Sequence, residues 1–191
     1  MRMTLVDIAA LAGGSILAGA ADGATTLSKL IAHVATTGEP TWVLLDFAGV
    51  EVCTASFLRE SVLGFRDYCR KSRPNLYPLL KGVGAKVTEE FEGLLRLKGD
   101  AFVLCDLDHD QIVNPRVLGK LDPKQAVALE AVLRVGRADA STLAKDDSDT
   151  PNPTAWNNRL VSLTAKGLLR ETQVGRGKEY QPVVEGLQYG R

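Results

Sequence analysis

The sequence predicts an α/β domain over residues 1–110 and a smaller domain over 122–186 built of three helices and a β-hairpin, with a linker at 111–121. Two observations carry this. Short apolar runs alternate with amphipathic stretches through the first 110 residues, the pattern of a mostly parallel or mixed sheet covered by helices. The pattern then changes to three helical segments and two β-compatible runs separated by Gly175 and Gly177. At 191 residues the chain has room for two cores, since compact domains commonly hold about 100 to 150 residues.

Met3–Ile8 reads as an edge strand, followed by a connection through Gly13, Gly14 and Gly19. Leu27, Leu30, Ile31 and Val34 recur at helical spacing and predict a helix over Thr25–Val34, stopped by Gly38 and Pro40. Thr41–Phe47 is a continuous apolar run that suits a strand buried on both faces, with Asp46 near its C-terminal end. Leu58, Val62, Phe65 and Cys69 then line one stripe of a helix over Ala55–Arg70, with Thr54 as its N-cap. Leu76–Leu80 is a strand, Val87–Leu97 a helix, and Ala101–Leu107 a further strand. The next stretch is polar and carries Asn114, Pro115, Gly119 and Pro123, which places the linker there. Beyond it, Ala126–Val135, Ala140–Ala144 (capped by Asp139 or Ser141) and Pro153–Leu169 read as helices, and RETQVGRGKEYQPVV as a hairpin. Helix, short helix, long helix and hairpin is the plan of a winged helix.

Hydrophobic residues at 45% and charged residues at 24% exclude a disordered chain. Formal net charge is zero, so any affinity for nucleic acid must come from a local patch. Residues 151–180 supply one: Arg159, Lys166, Arg170, Arg176 and Lys178 against Glu171 and Glu179, preceded by the acidic Asp146, Asp147 and Asp149. Cys53, Cys69 and Cys105 form no CxxC pair and His33 and His109 lie far apart, which predicts free thiols in a reducing cytosol, no metal and no cofactor. The opening MRMTLVDIAALAGGSILAGA is interrupted by Asp7 and reads as strand and loop rather than as a leader, and no membrane helix is expected. The expectation is a cytoplasmic protein.

On a helical wheel of Pro153–Lys166, Trp156, Leu160 and Leu163 form the buried stripe, with Thr154, Asn158 and Ser162 opposite and Asn157, Arg159 and Lys166 at the sides. Short amides and hydroxyls can read base edges in a major groove while flanking cations meet phosphates. Asn158 is the first candidate for base contact. Asn152 followed by Pro153 is a strong helix start. Arg176 and Lys178 sit beside the glycine tip of the hairpin, where a wing reaches the adjacent backbone. The alternative is the same fold used for protein contacts alone, its charges merely solvated.

The segment TAWNNRLVSLTAKGLLRETQVGRGKEYQPV resembles the recognition helix and wing of prokaryotic winged-helix transcription regulators, which implies binding to double-stranded DNA, often as a homodimer on two half-sites. Earlier, VLLDFAGVEVCTASFLRESVLGF resembles the strand, loop and helix at the heart of STAS-like domains, related to anti-sigma-factor antagonists. This resemblance implies partner switching with a histidine-kinase-like ATPase, through a loop that includes Asp46, Thr54 and Ser56. The turn departs from the usual Asp-Ser-Ser-Gly: it reads Thr54, Ala55, Ser56, Phe57, with alanine where the phosphoserine stands, so Ser56 or Thr54 would have to substitute. Helix capping alone is the simpler role for Thr54 and Ser56, and binding to loop amides the simpler one for Asp46.

No enzyme is expected. GxSxG, HExxH, a Walker lysine and a dinucleotide fingerprint are all missing, and Gly82-Val83-Gly84 is too short for a phosphate cradle. Asp46, Ser56, Arg59 and Glu60 are the one polar cluster near a strand end, and Arg59 with Glu60 reads as an exposed helix pair. A DNA-binding regulator is the expectation, a non-DNA-binding adaptor within a larger assembly its rival.

Overall fold

The computed structural model describes residues 1–34, 38–147 and 151–190. Its centre is a five-stranded sheet in the order β1 (Arg2–Asp7), β3 (Thr41–Asp46), β5 (Leu76–Lys81), β6 (Ala101–Asp108) and β7 (Gln111–Gly119). The first four strands are parallel and β7 runs antiparallel to β6. A two-residue pair, β2 (Ile16–Leu17) with β4 (Val52–Cys53), stands beside the main sheet. Val43, Leu44 and Leu45 of β3 are fully buried, as a strand covered on both faces requires.

The first two helices differ from the sequence expectation, and the helix expected over Pro153–Leu169 ends at Ala165. The Gly13–Gly19 connection is preceded by a short helix, α1 (Ile8–Ala12), whose first turn is capped by the Asp7 carboxylate accepting from the Ala10 amide at 2.9 Å. Helix α2 spans Ala20–His33 and so begins before Thr25. Its first turn lacks large apolar residues because it passes too close to a neighbour: a Cβ at Gly23 would lie 2.8 Å from the Phe57 carbonyl oxygen.

The helix after the Thr54 cap is continuous but irregular. α3 (Ala55–Leu58) leads through a π-helical turn, Arg59–Leu63, into α4 (Gly64–Ser72). Inside this turn the buried Ser61 hydroxyl donates to the Phe57 carbonyl at 2.7 Å, the oxygen that its own amide would bond in an α-helix. α5 (Ala85–Lys98) completes the layer. Together α2 to α5 bury Leu30, Phe57, Phe65 and Phe91 against Val6, Leu45 and Phe102 on one sheet face.

The expected linker at 111–121 is instead largely the strand β7. The polar DHDQ stretch is a tight hairpin: Asp108 pairs with Gln111, and His109 and Asp110 between them take φ of 42° and 64°. Such left-handed pairs match the twist of the flanking strands, and non-glycine residues adopt them so rarely that the sequence does not signal the turn. β7 is covered in turn by the C-terminal segment, where the Val117 and Gln188 amides donate to the Gln188 and Pro115 carbonyls, both at 2.9 Å.

The remaining elements are α6 (Pro123–Val135), α7 (Ala140–Asp146), α8 (Pro153–Ala165), β8 (Leu169–Val174) and β9 (Gly177–Pro182). They form the second layer on the sheet. Leu129, Val132, Trp156, Leu160, Leu168, Tyr180 and Val183 share one continuous core with Leu44, Tyr77, Leu79, Val103 and Cys105 of the strands. Trp42 adds a polar tie, its Nε1–H donating to the Val183 carbonyl at 2.9 Å. Trp42→Phe is expected to lower stability by about 1 kcal/mol, the net worth of one such bond, in a urea melt followed through Trp156. Cys53 and Cys69 lie in the first core and Cys105 in the second, and burial pushes all three thiols up to about 12. Among the described residues no helix is long and apolar enough to cross a membrane, and no group of three or more His, Cys, Asp or Glu could hold a metal ion.

Candidate nucleic-acid interface

α8 presents Trp156, Leu160 and Leu163 to the core, as its spacing predicts. Its start is fixed by Asn152, whose Oδ1 accepts from the Thr154 and Ala155 amides at 2.9 and 3.4 Å, with Pro153 in the first turn. α7 is capped by Asp139 rather than Ser141. The Asp139 carboxylate accepts from the Thr142 hydroxyl at 2.7 Å and from the Ser141 and Thr142 amides, bonds that hold its pKa below the usual carboxylate range.

These two helix starts and the hairpin border one open cleft of about 550 Å³. Thr154 and Asn157 enter it from α8, Arg176 and Lys178 from the hairpin. Ser141 and Gln173 line it as well, and neither is marked in the sequence: Ser141 reads as a cap, and Gln173 carries no charge. Asn158 is exposed on α8, and the Arg159 guanidinium lies over the Trp156 ring at 5.2 Å.

Ser162, Lys166 and Asn157, all expected to contact DNA, are engaged within the protein. Ser162 accepts from the Gln125 side chain at 2.8 Å, because the C-terminal half of α8 packs on α6. Lys166 turns back to the Gly99 carbonyl and the Asp100 carboxylate, 3.6 Å away, on the far side of the layer boundary. Asn157 remains in the cleft but accepts from the buried Tyr180 hydroxyl at 3.1 Å, so half of its amide is spoken for.

The hairpin's charge is partly neutralised. Lys178 bonds both Glu171 carboxylate oxygens, at 3.1 and 3.2 Å, which raises its pKa, and Arg137 pairs with Glu179 at 3.4 Å. Arg176 stands exposed beside Gly175, whose φ of 58° makes the tip, and among the described residues no carboxylate pairs with it. Asp146 and Asp147 line a different hollow, with Glu130 and Trp156, and Asp149 lies outside the described residues.

Of the second group of candidates, Thr54 and Ser56 lie side by side, while the hydrogen bonds of Asp46 go to other residues. Asp46 accepts from Lys81 at 2.6 Å and from the Ala48 amide at 3.0 Å at the end of the sheet. Thr54 accepts from the Phe57 and Gly19 amides at 3.4 and 3.1 Å and lies 3.1 Å from the Ser56 hydroxyl. At the start of α3 the Ala55 amide donates to Glu90 at 2.8 Å, so a carboxylate already occupies the place a phosphate would take. Arg59 and Glu60 form an exposed pair at 2.8 Å. No protein-family model, curated protein or solved structure matches the chain.

Proposed function

We propose that this chain is a cytoplasmic DNA-binding regulator, in which α6 to β9 form a winged helix and a STAS-like α/β layer receives a signal from a protein partner. The observation that carries the reading is the cleft where the starts of α7 and α8 meet the hairpin tip, edged by Arg176 and Lys178. The topology supports it. Ala138, between α6 and α7, exchanges backbone hydrogen bonds of 3.0 and 2.8 Å with Tyr180, so β9 pairs on both sides and holds the hairpin against the helices. In such a frame α8 is the groove-reading helix and the hairpin the wing.

Fluorescence anisotropy on duplex fragments from the protein's own promoter region, over a salt series, tests this. Affinity is expected to fall steeply with salt. Arg176→Ala is expected to weaken all sequences alike and to reduce the slope by about one. Asn158→Ala is expected to cost about 1 to 3 kcal/mol of discrimination at one base pair. The adaptor reading is favoured by a specific observation, the pairing of Lys178 with Glu171 on a chain of zero net charge. It requires binding no tighter than to a random duplex and without a salt slope.

A further inference from the structure

One ionic chain crosses the boundary between the two layers, and it begins at an irregular helix. A π turn holds one residue more than an α turn, so relaxing the Arg59–Leu63 turn to α geometry would rotate α4 by about 100° and shift it by about 1.5 Å relative to α3. α2 rests directly on this segment, with Gly23 at the Phe57 carbonyl. Soon after the π turn comes Arg66, only 6% exposed, whose guanidinium forks onto Asp100 with bonds of 2.9 and 2.8 Å. Asp100 also faces Lys166, the residue that caps the C-terminal end of α8, and Lys166 donates to the neighbouring Gly99 carbonyl.

The turn between α5 and β6 is therefore gripped from α4 on one side and from α8 on the other. The opposite end of α8, about 20 Å away over its 13 residues, carries Thr154 and Asn157 into the cleft. Rigid helices joined by charge-assisted bonds pass on displacement rather than absorbing it.

We propose that the Arg66–Asp100–Lys166 chain transmits movements of the α3–α4 helix to α8, so that displacement of this helix regulates the cleft. The regulatory half of this rests on the DNA-binding reading above; the mechanical half does not. It is tested by hydrogen exchange on the full chain, read at the amides of α8, in wild type, Gly23→Ala, Lys166→Met and the double variant. Gly23→Ala must displace α3, and it is expected to change exchange in α8 by about five-fold or more in the wild-type background, the lower end of ordinary coupling between sites. With Lys166→Met already in place, the same substitution is expected to leave α8 unchanged. Glu90→Ala, which frees the Ala55 amide at the start of α3, supplies a second perturbation should Gly23→Ala fail to fold. Exchange in α8 that ignores both perturbations, or that responds equally with and without Lys166, overturns the relay. Duplex binding on the same variants separates the two readings: coupled exchange in a protein that binds no duplex leaves the relay standing and removes its regulatory meaning.

Discussion

Arg66→Ala is expected to destabilise the protein by about 3 to 5 kcal/mol at neutral pH, the cost of leaving a buried charge without its partner. Asp100 would keep only Lys166, at 3.6 Å, and the Ala101 amide, at 2.8 Å, in place of the two-bond fork, and the Phe102 ring would lose the guanidinium lying 5.9 Å from its centre. The effect depends on pH in a definite direction. Burial by itself raises the Asp100 carboxyl, but the Arg66 bonds and charge, the Ala101 amide and Lys166 outweigh it and hold the folded pKa below the usual value. A depressed folded pKa contributes stability that is present above the unfolded value of about 3.9 and is lost as pH falls through the folded one. The gap between wild type and Arg66→Ala should accordingly shrink between pH 7 and pH 3 in parallel urea melts. A gap that stays constant would show that the loss is one of packing alone.

The second large effect is expected on cutting the chain after Asp110, at the edge of the expected linker. Such a fragment would lose β7 and the whole second layer, baring Leu44, Leu79, Val103 and Cys105, each no more than 1% exposed in the full chain, together with Tyr77. Burying each large apolar side chain contributes about 1.5 to 3 kcal/mol, so the loss is comparable to the 5–15 kcal/mol by which a whole domain is stable. Aggregation, binding of a hydrophobic dye and loss of a cooperative melt are the expected results. A soluble fragment that melts cooperatively would show that the first layer stands by itself.

β3, β5 and β6 are legible because a strand buried on both faces leaves a run of apolar residues, and the stripe of α8 because Trp156, Leu160 and Leu163 recur at helical spacing. The run in β3 said that something covers both faces without saying what. β7 was invisible because Asn114 and Pro115 break its pattern and its turn is made by His109 and Asp110 rather than by glycine. In the candidate site, charge and position alone put Lys166 beside the groove. Its partners lie more than sixty residues earlier in the chain, and only the docking of the layers brings them to it.

The same docking gives each layer a chemical clock. With their pKa values raised to about 12, Cys53, Cys69 and Cys105 hold only about one thiolate in a hundred thousand at neutral pH, against a few per cent for a free cysteine. Alkylation must wait for the surrounding structure to open. Cys53 and Cys69 then time the release of the helices from one face, and Cys105 times the departure of the other layer. Mass spectrometry of the alkylated peptides would order the two events in a protein of native sequence.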